Sequence, residues 1–291
     1  MESCLPGTSA SGLLQEAEDW WSTSITDISP GKIAIRGYEI QDLIASITFP
    51  DMIWLLLRGG LPTKPQSKLL DAALVSAVDH GPHAPSIAIA RMAVTCGVQL
   101  NGAMASAINV LGDVHGGAGE QCMELYCEIS EALYAERVAV SDKDELERVT
   151  AAVVAEWRER GVKYLPGFGH RFHSVDPRVA PLLALADAAA TAGVVGGHYA
   201  AIGRSVTAVL GRTRETPVPM NIDGATAVIY SELGFPPALG RGLFVLSRSV
   251  GILAHAWEQM TRGERIKGPM PPELPYRYTG MPARHLGKAE S

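Results

Sequence analysis

Pro166-Gly167-Phe168-Gly169-His170-Arg171-Phe172-His173-Ser174-Val175-Asp176-Pro177-Arg178 is the stretch that orders the rest of the chain. It sets two glycines, two prolines, two histidines and two arginines in one short loop between segments with helical patterning. Gly167 and Gly169 allow positive φ or close approach of the backbone to another group. Pro166 and Pro177 separate the loop from the helices on either side. His170 titrates near neutral pH. Arg171 and Arg178 can hold carboxylates or phosphates through paired hydrogen bonds.

Outward from this loop the chain reads as helices. Gln121–Glu136 is amphipathic, Lys143–Arg160 is charged on one face, and Pro181–Ala192 and Tyr199–Gly211 are apolar helices. Ser46–Gly59 is a helix capped by Thr48 and stopped by Gly59-Gly60-Leu61-Pro62. Ile87–Leu111 has so few polar residues that burial all round is expected, against the chain itself or a symmetry mate. Leu13–Trp21, Gly37–Ile44, Pro65–Val78, Ala225–Leu233 and Arg241–Thr261 complete the set, and the tail from Gly268 looks like an arm. Ile25–Arg36 is extended or turn-rich, with no strong alternating strand signal. The expected fold is all-α.

Composition narrows the function. The 291 residues are 47% apolar, 19% charged and 6% aromatic, with a net charge of -6 and no basic run, so a nucleic-acid partner is not expected. The four cysteines form no CxxC pair, and Met1-Glu2-Ser3-Cys4-Leu5-Pro6 has no signal-peptide pattern. With no apolar run of membrane-spanning length, a cytoplasmic location away from the membrane is expected.

Polar knots interrupt the apolar helices at Asp79-His80, Asp113–Gly117, the 166–178 loop and Asn221-Ile222-Asp223, and Arg248 lies inside an apolar helix. Buried charges are costly unless paired or used. Each residue also has a plainer reading: His115 as a helix-end cap, Asp223 as an N-cap, Arg248 as a snorkelling or paired cation, Arg178 as a simple salt bridge, Arg171 as structural. His80 with His83, or His170 with His173, have spacings a metal could use, but no Cys or carboxylate set completes a site, and no metal is expected. Cys122 and Cys127 read as packing cysteines on one helix.

Taken in order, Arg36-Gly37-Tyr38 with Ile40 and Asp42-Leu43, Asp79-His80, His115-Gly116-Gly117-Ala118, Pro166–His170, Asp176-Pro177-Arg178, Asn221-Ile222-Asp223, and Ser247-Arg248 with Gly251–His255 resemble the citrate synthase superfamily, in its short citryl-CoA lyase-like form. The resemblance spans roughly residues 30–270. It implies a helical homodimer or higher homo-oligomer, with a large domain of residues 1–117 and 222–291 and a small domain of residues 118–221 that closes over substrate. It further implies that His115 hydrogen-bonds the thioester carbonyl, Asp223 moves the methyl proton and His170 serves the keto or hydroxyl oxygen. His80, Arg178 and Arg248 hold carboxylates, and Pro166, Gly167, Phe168 and Gly169 lie along CoA. No cofactor is resident; acetyl-CoA or CoA is a substrate.

Two departures from the full-length synthases stand out. The loop from His170 to Asp176 is a residue shorter, with His173 inside it, as in the lyase-like forms. Where those synthases carry Glu-Arg-Pro, whose Arg serves the partner subunit, this chain reads Gly263-Glu264-Arg265-Ile266-Lys267-Gly268-Pro269, so Arg265 or Lys267 is the candidate replacement. The expected activity is reversible cleavage of citryl-CoA into acetyl-CoA and oxaloacetate. The alternatives are a citrate or 2-methylcitrate synthase that releases CoA, and a non-catalytic CoA- or carboxylate-binding subunit.

Overall fold

The computed structural model of the chain describes residues 10–169, 175–212, 218–266, 270 and 273–284. Among them twelve helices and one small sheet are formed. In order they are α1 (Ala10–Trp21), β1 (Thr26–Ser29), β2 (Lys32–Ile35), β3 (Tyr38–Glu39), α2 (Ile40–Ser46), α3 (Phe49–Arg58), α4 (Lys64–Ala77), α5 (Pro85–Thr95) and α6 (Leu100–Ile108). There follow α7 (Ala118–Glu136), α8 (Lys143–Glu159), α9 (Val179–Thr191), α10 (His198–Arg212), α11 (Ile222–Glu232) and α12 (Pro237–Arg262). The all-α expectation holds. Among the described residues no helix is long and apolar enough to cross a membrane.

The exception to helix is an antiparallel meander, β1-β2-β3, registered by Asp27 opposite Ala34 and Ile35 opposite Tyr38. Its strands are exposed on both faces apart from Ala34, Ile35 and Glu39, so the apolar-polar alternation that betrays a half-buried strand never develops. Its turns are legible instead. Gly31 follows Pro30 at φ 79, and Arg36 and Gly37 both take positive φ, as a tight hairpin turn requires. The Arg36 guanidinium then donates to Leu56 O at 2.7 Å, tying the turn to α3.

The chain divides into two compact units, one of residues 1–77 and 116–247 and one of residues 78–115 and 248–291. Residues 118–221, assigned to a small domain by resemblance, lie wholly inside the first.

The first unit is built around α11. Gly224 to Ser231 are all buried, and only Asp223 in the first turn keeps partial exposure. Helices α4, α7, α9 and α10 pack around it. Cys122, Met123, Leu125, Tyr126 and Ile129 of α7 supply one wall, and Ile202 and Val206 of α10 another. Cys122 and Cys127 do share α7, and Cys122 is buried there. Helix α3 has the expected ends: a reciprocal Thr48–Asp51 capping box and Gly59 in the left-handed conformation.

Glu232, at the end of α11, clamps the start of α10. Its carboxylate accepts from Gly197 N (2.9 Å), Tyr199 N (2.7 Å) and Ala200 N (3.1 Å). These are amides that a helix N-terminus cannot pair internally. Glu232→Ala is therefore expected to lower unfolding free energy by about 2 kcal/mol, and Glu232→Gln by less, because its amide oxygen still accepts. Chemical denaturation of the three proteins measures both.

In the second unit α5 and α6 form a hairpin around Gly97, which has φ 89. Within one chain they are buried on one side: Ile87, Ala90, Ala103 and Ala107 are buried, while Met92, Val98 and Val110 are exposed, on the side that the expectation leaves to a symmetry mate. The sequence that looked uniformly buried is a two-faced hairpin, because the glycine break leaves each helix one inner face. The helix covered on every side is α11.

Candidate active site

In the first unit the 166–169 segment is bound to the start of α11. Gly169 N donates to Pro219 O (2.7 Å) and Asn221 N to Gly167 O (2.9 Å), around a bridge between Phe168 and Met220. Gly167, at φ 83, is indispensable to this contact. A Cβ there would lie 2.4 Å from Cys122 Sγ and 2.9 Å from Gly224 Cα. Within the chain, what this glycine approaches closely is α7, at Cys122, and α11, at Gly224. Pro166, Gly167 and Phe168 are buried, and Gly169 is half-buried.

Asn221 resolves the double reading of Asp223. Its Oδ1 accepts from Asp223 N (2.9 Å) and Gly224 N (3.3 Å), so Asn221 is the N-cap of α11. Its Nδ2 donates to Gly169 O (2.8 Å) and closes the clasp on the loop. Asp223, two residues on, is not needed as a cap. It is half-buried, and its charge adds to burial in raising the titration of the fully buried Cys122 thiol and Tyr230 phenol. Asp223 thus faces solvent on one side and poorly ionisable groups on the other.

Asp176, in sequence only one member of the Asp-Pro-Arg motif, is the hydrogen-bonding hub of this corner. Buried to 1% exposure, it accepts Arg178 N (3.1 Å) and Nε (2.9 Å) on one oxygen, and Arg178 Nη2 (2.8 Å) and Ile222 N (3.0 Å) on the other. Burial alone would raise its titration. Hydrogen bonds and charge from Arg178, with the Ile222 amide, overcome burial and hold the carboxyl at about 2. One ionised group therefore fixes the Arg178 guanidinium and the first turn of α11 together. The signal for it was the Asp-Pro-Arg turn, where an Asp side chain accepts the amide two residues on. Arg178 is salt-bridged, as its plainer reading has it, and its side chain keeps 23% exposure.

In the second unit His115 is fixed by the start of α5. Its Nε2 lies 3.2 Å from Ser86 N and 3.0 Å from Ser86 Oγ. A backbone N–H can only donate, so Nε2 is the acceptor and the ring proton sits on Nδ1. Burial, and then the charge of Arg248, lower the titration of His115. The ring is neutral at pH 7 with a single N–H to offer. Arg248 is 5% exposed on α12, His80 is exposed in the turn before α5, and Arg265 is exposed beyond α12. Ile266 takes φ 55 and donates to Thr95 O at 2.8 Å, anchoring the segment that carries Arg265. His170 and Lys267 lie outside the described residues. Among the described residues no three His, Cys, Asp or Glu side chains gather as a metal would require.

Comparison with known proteins gives this inventory its context. The sequence model for "Citrate synthase, C-terminal domain" matches residues 18–68 and 62–269. The solved citryl-CoA lyase of Hydrogenobacter thermophilus is 34% identical and superposes with a TM-score of 0.77, over 92% of this chain and 97% of that one. Citrate synthases of Haloferax volcanii and Deinococcus radiodurans are 31% and 28% identical over 84% and 77% of this chain. The chain spans only 59% and 56% of those two proteins. With the family match running from α1 to beyond α12, the chain belongs to the citrate synthase family.

Proposed function

We propose that this protein catalyses the reversible cleavage of citryl-CoA to acetyl-CoA and oxaloacetate. The observation that carries the reading is likeness. The Hydrogenobacter citryl-CoA lyase is 34% identical and superposes with a TM-score of 0.77 over 92% of this chain, against 31% and 28% identity for the matched citrate synthases.

Cleavage breaks the bond between the hydroxyl-bearing carbon and the CH₂ next to the thioester. The electron pair stays on the thioester side, as an enolate. A neutral donor aimed at that oxygen stabilises it, and a His115 ring protonated on Nδ1 is such a donor. Asp223 delivers a proton to the CH₂ carbon, giving the methyl of acetyl-CoA. The hydroxyl proton leaves as the keto group forms, and His170 keeps the role that resemblance gives it. His80, Arg178 and Arg248 hold the carboxylates, with Arg178 oriented in advance by Asp176. CoA lies along Pro166–Gly169 as part of the substrate, and no resident cofactor is needed.

The working form is a homodimer or higher homo-oligomer. Val250, Leu253 and Trp257 give α12 an exposed apolar stripe suited to a second copy, with Arg265 or Lys267 completing the partner's carboxylate site.

The citrate synthase names of the curated relatives support a second reading, in which citryl-CoA is hydrolysed. Thiol release separates the two. With citryl-CoA as substrate we expect oxaloacetate and acetyl-CoA in equal amounts and no free thiol, and about 100-fold or greater loss of turnover in His115→Ala. Free CoA appearing in step with substrate loss would instead establish the synthase.

A further inference from the structure

Helix α12 presents one face to the rest of the second unit through Arg248, Gly251, His255 and Gln259, spaced by three or four residues so that they line up. Gln259 is 3% exposed and accepts from Arg91 Nε at 2.9 Å, while its own amide donates to Glu264 at 2.5 Å. Gly251 meets the chain just before His80, where a Cβ would lie 2.2 Å from Val78 O and 3.0 Å from Asp79 Oδ1. One turn later, His255 Nε2 lies 3.2 Å from Asp79 Oδ1.

The ring nitrogens of His255 are unequal. Nδ1 is buried with no hydrogen-bond partner, and the nearest carboxylate oxygen, on Glu258, is 3.9 Å away. A proton on Nδ1 would be a buried, unmatched donor, so the neutral ring carries its proton on Nε2 and donates it to Asp79. Asp79 passes the constraint on. Its Oδ2 accepts Gly81 N at 3.1 Å, and its carboxylate also accepts the His80 amide. Gly81 turns the chain at φ 79. Both amides flanking the His80 α-carbon are thereby tied to a carboxylate that is itself tied to α12.

We propose that His255 and Asp79 are positioning residues for His80: their hydrogen-bonded pair fixes the peptide from which the His80 imidazole reaches a substrate carboxylate. The proposal rests on the reading of His80 as a carboxylate-binding residue. Steric contact at Gly251 sets where residues 78–79 sit. The His255–Asp79 bond adds which way the next two amides point, and that sets the direction of the exposed His80 side chain. Without it the turn keeps its place and loses its orientation.

Calorimetric titration of oxaloacetate into four proteins tests this. Wild type should bind, His80→Ala and His255→Ala should each bind about tenfold or more weakly, and the double variant should be no weaker than His80→Ala alone. Such non-additivity is the mark of two residues acting through one contact, and a general structural role does not produce it. His255→Gln retains a donor near the Nε2 position and should recover to within about threefold, which keeps the test decisive should His255→Ala fold poorly. Additive losses, or tight binding in His255→Ala, overturn the positioning role while leaving the His80 assignment intact. Undiminished binding in His80→Ala removes that assignment and the proposal with it.

Discussion

Asp223→Asn should lower turnover of citryl-CoA by about a thousandfold, in line with loss of a general acid–base group, and leave the fold in place. Activity falls because an amide can neither give up nor accept the proton that interconverts enolate and methyl. The fold survives because Asn221 caps α11, and that cap uses the Asp223 backbone amide, which the substitution does not touch. A first-turn carboxylate contributes at most about 1 kcal/mol through the helix dipole, so the melting temperature should move by only a few degrees. Its buried neighbours Cys122 and Tyr230 are neutral and tolerate a neutral amide. Rate and thermal denaturation measured on one preparation distinguish the outcomes. Turnover within tenfold of wild type would remove Asp223 from the proton-transfer role.

The same contrast shows what could be read from the chain in advance. Local rules sufficed for α3, where Thr48, Asp51 and Gly59 write both ends into the sequence. Ordered motifs sufficed to name His115, Asp223, Arg178 and Arg248 as candidates. What escaped was set by partners far apart in the chain. Nothing near His115 indicates that Ser86, 29 residues earlier, fixes its tautomer. Nothing near Asp79 points to His255. Asn221 and Asp223 are equally good caps on paper, and only the path of the chain into α11 decides between them. Ile25–Arg36 reads as extended or turn-rich, which β1 and β2 bear out, but its pairing into a meander is hidden for the opposite reason: exposed strands have no buried face to impose a pattern. Gly167 was legible as a site of close approach, while the identity of what it approaches, Gly224 and Cys122, was not.

Asp176→Ala is expected to cost about 3 kcal/mol of folding stability and to weaken substrate binding at the same time. Removing the carboxylate leaves the Arg178 guanidinium, three-quarters buried, without its counter-charge, and leaves the Ile222 amide without its acceptor. Asp176→Asn should lose less, since one amide oxygen can still accept. The pH dependence carries a separate signature. The carboxyl is held at about 2 in the folded chain, against about 3.9 when unfolded, so folding favours the ionised form. The stabilisation, about 2 to 3 kcal/mol, is complete above about pH 5 and disappears progressively as pH falls from about 5 towards about 1. In urea titrations across that window the wild type should lose stability more steeply than Asp176→Asn, and the two should run parallel above pH 5. Parallel curves throughout would mean that Asp176 is not the ionised hub that its four hydrogen bonds describe. A steeper wild-type curve accompanied by unchanged oxaloacetate affinity in Asp176→Asn would separate its two roles, leaving the carboxylate as the tie between Arg178 and α11 and assigning the orientation of Arg178 towards substrate to other contacts, such as Ser76 O at 3.4 Å.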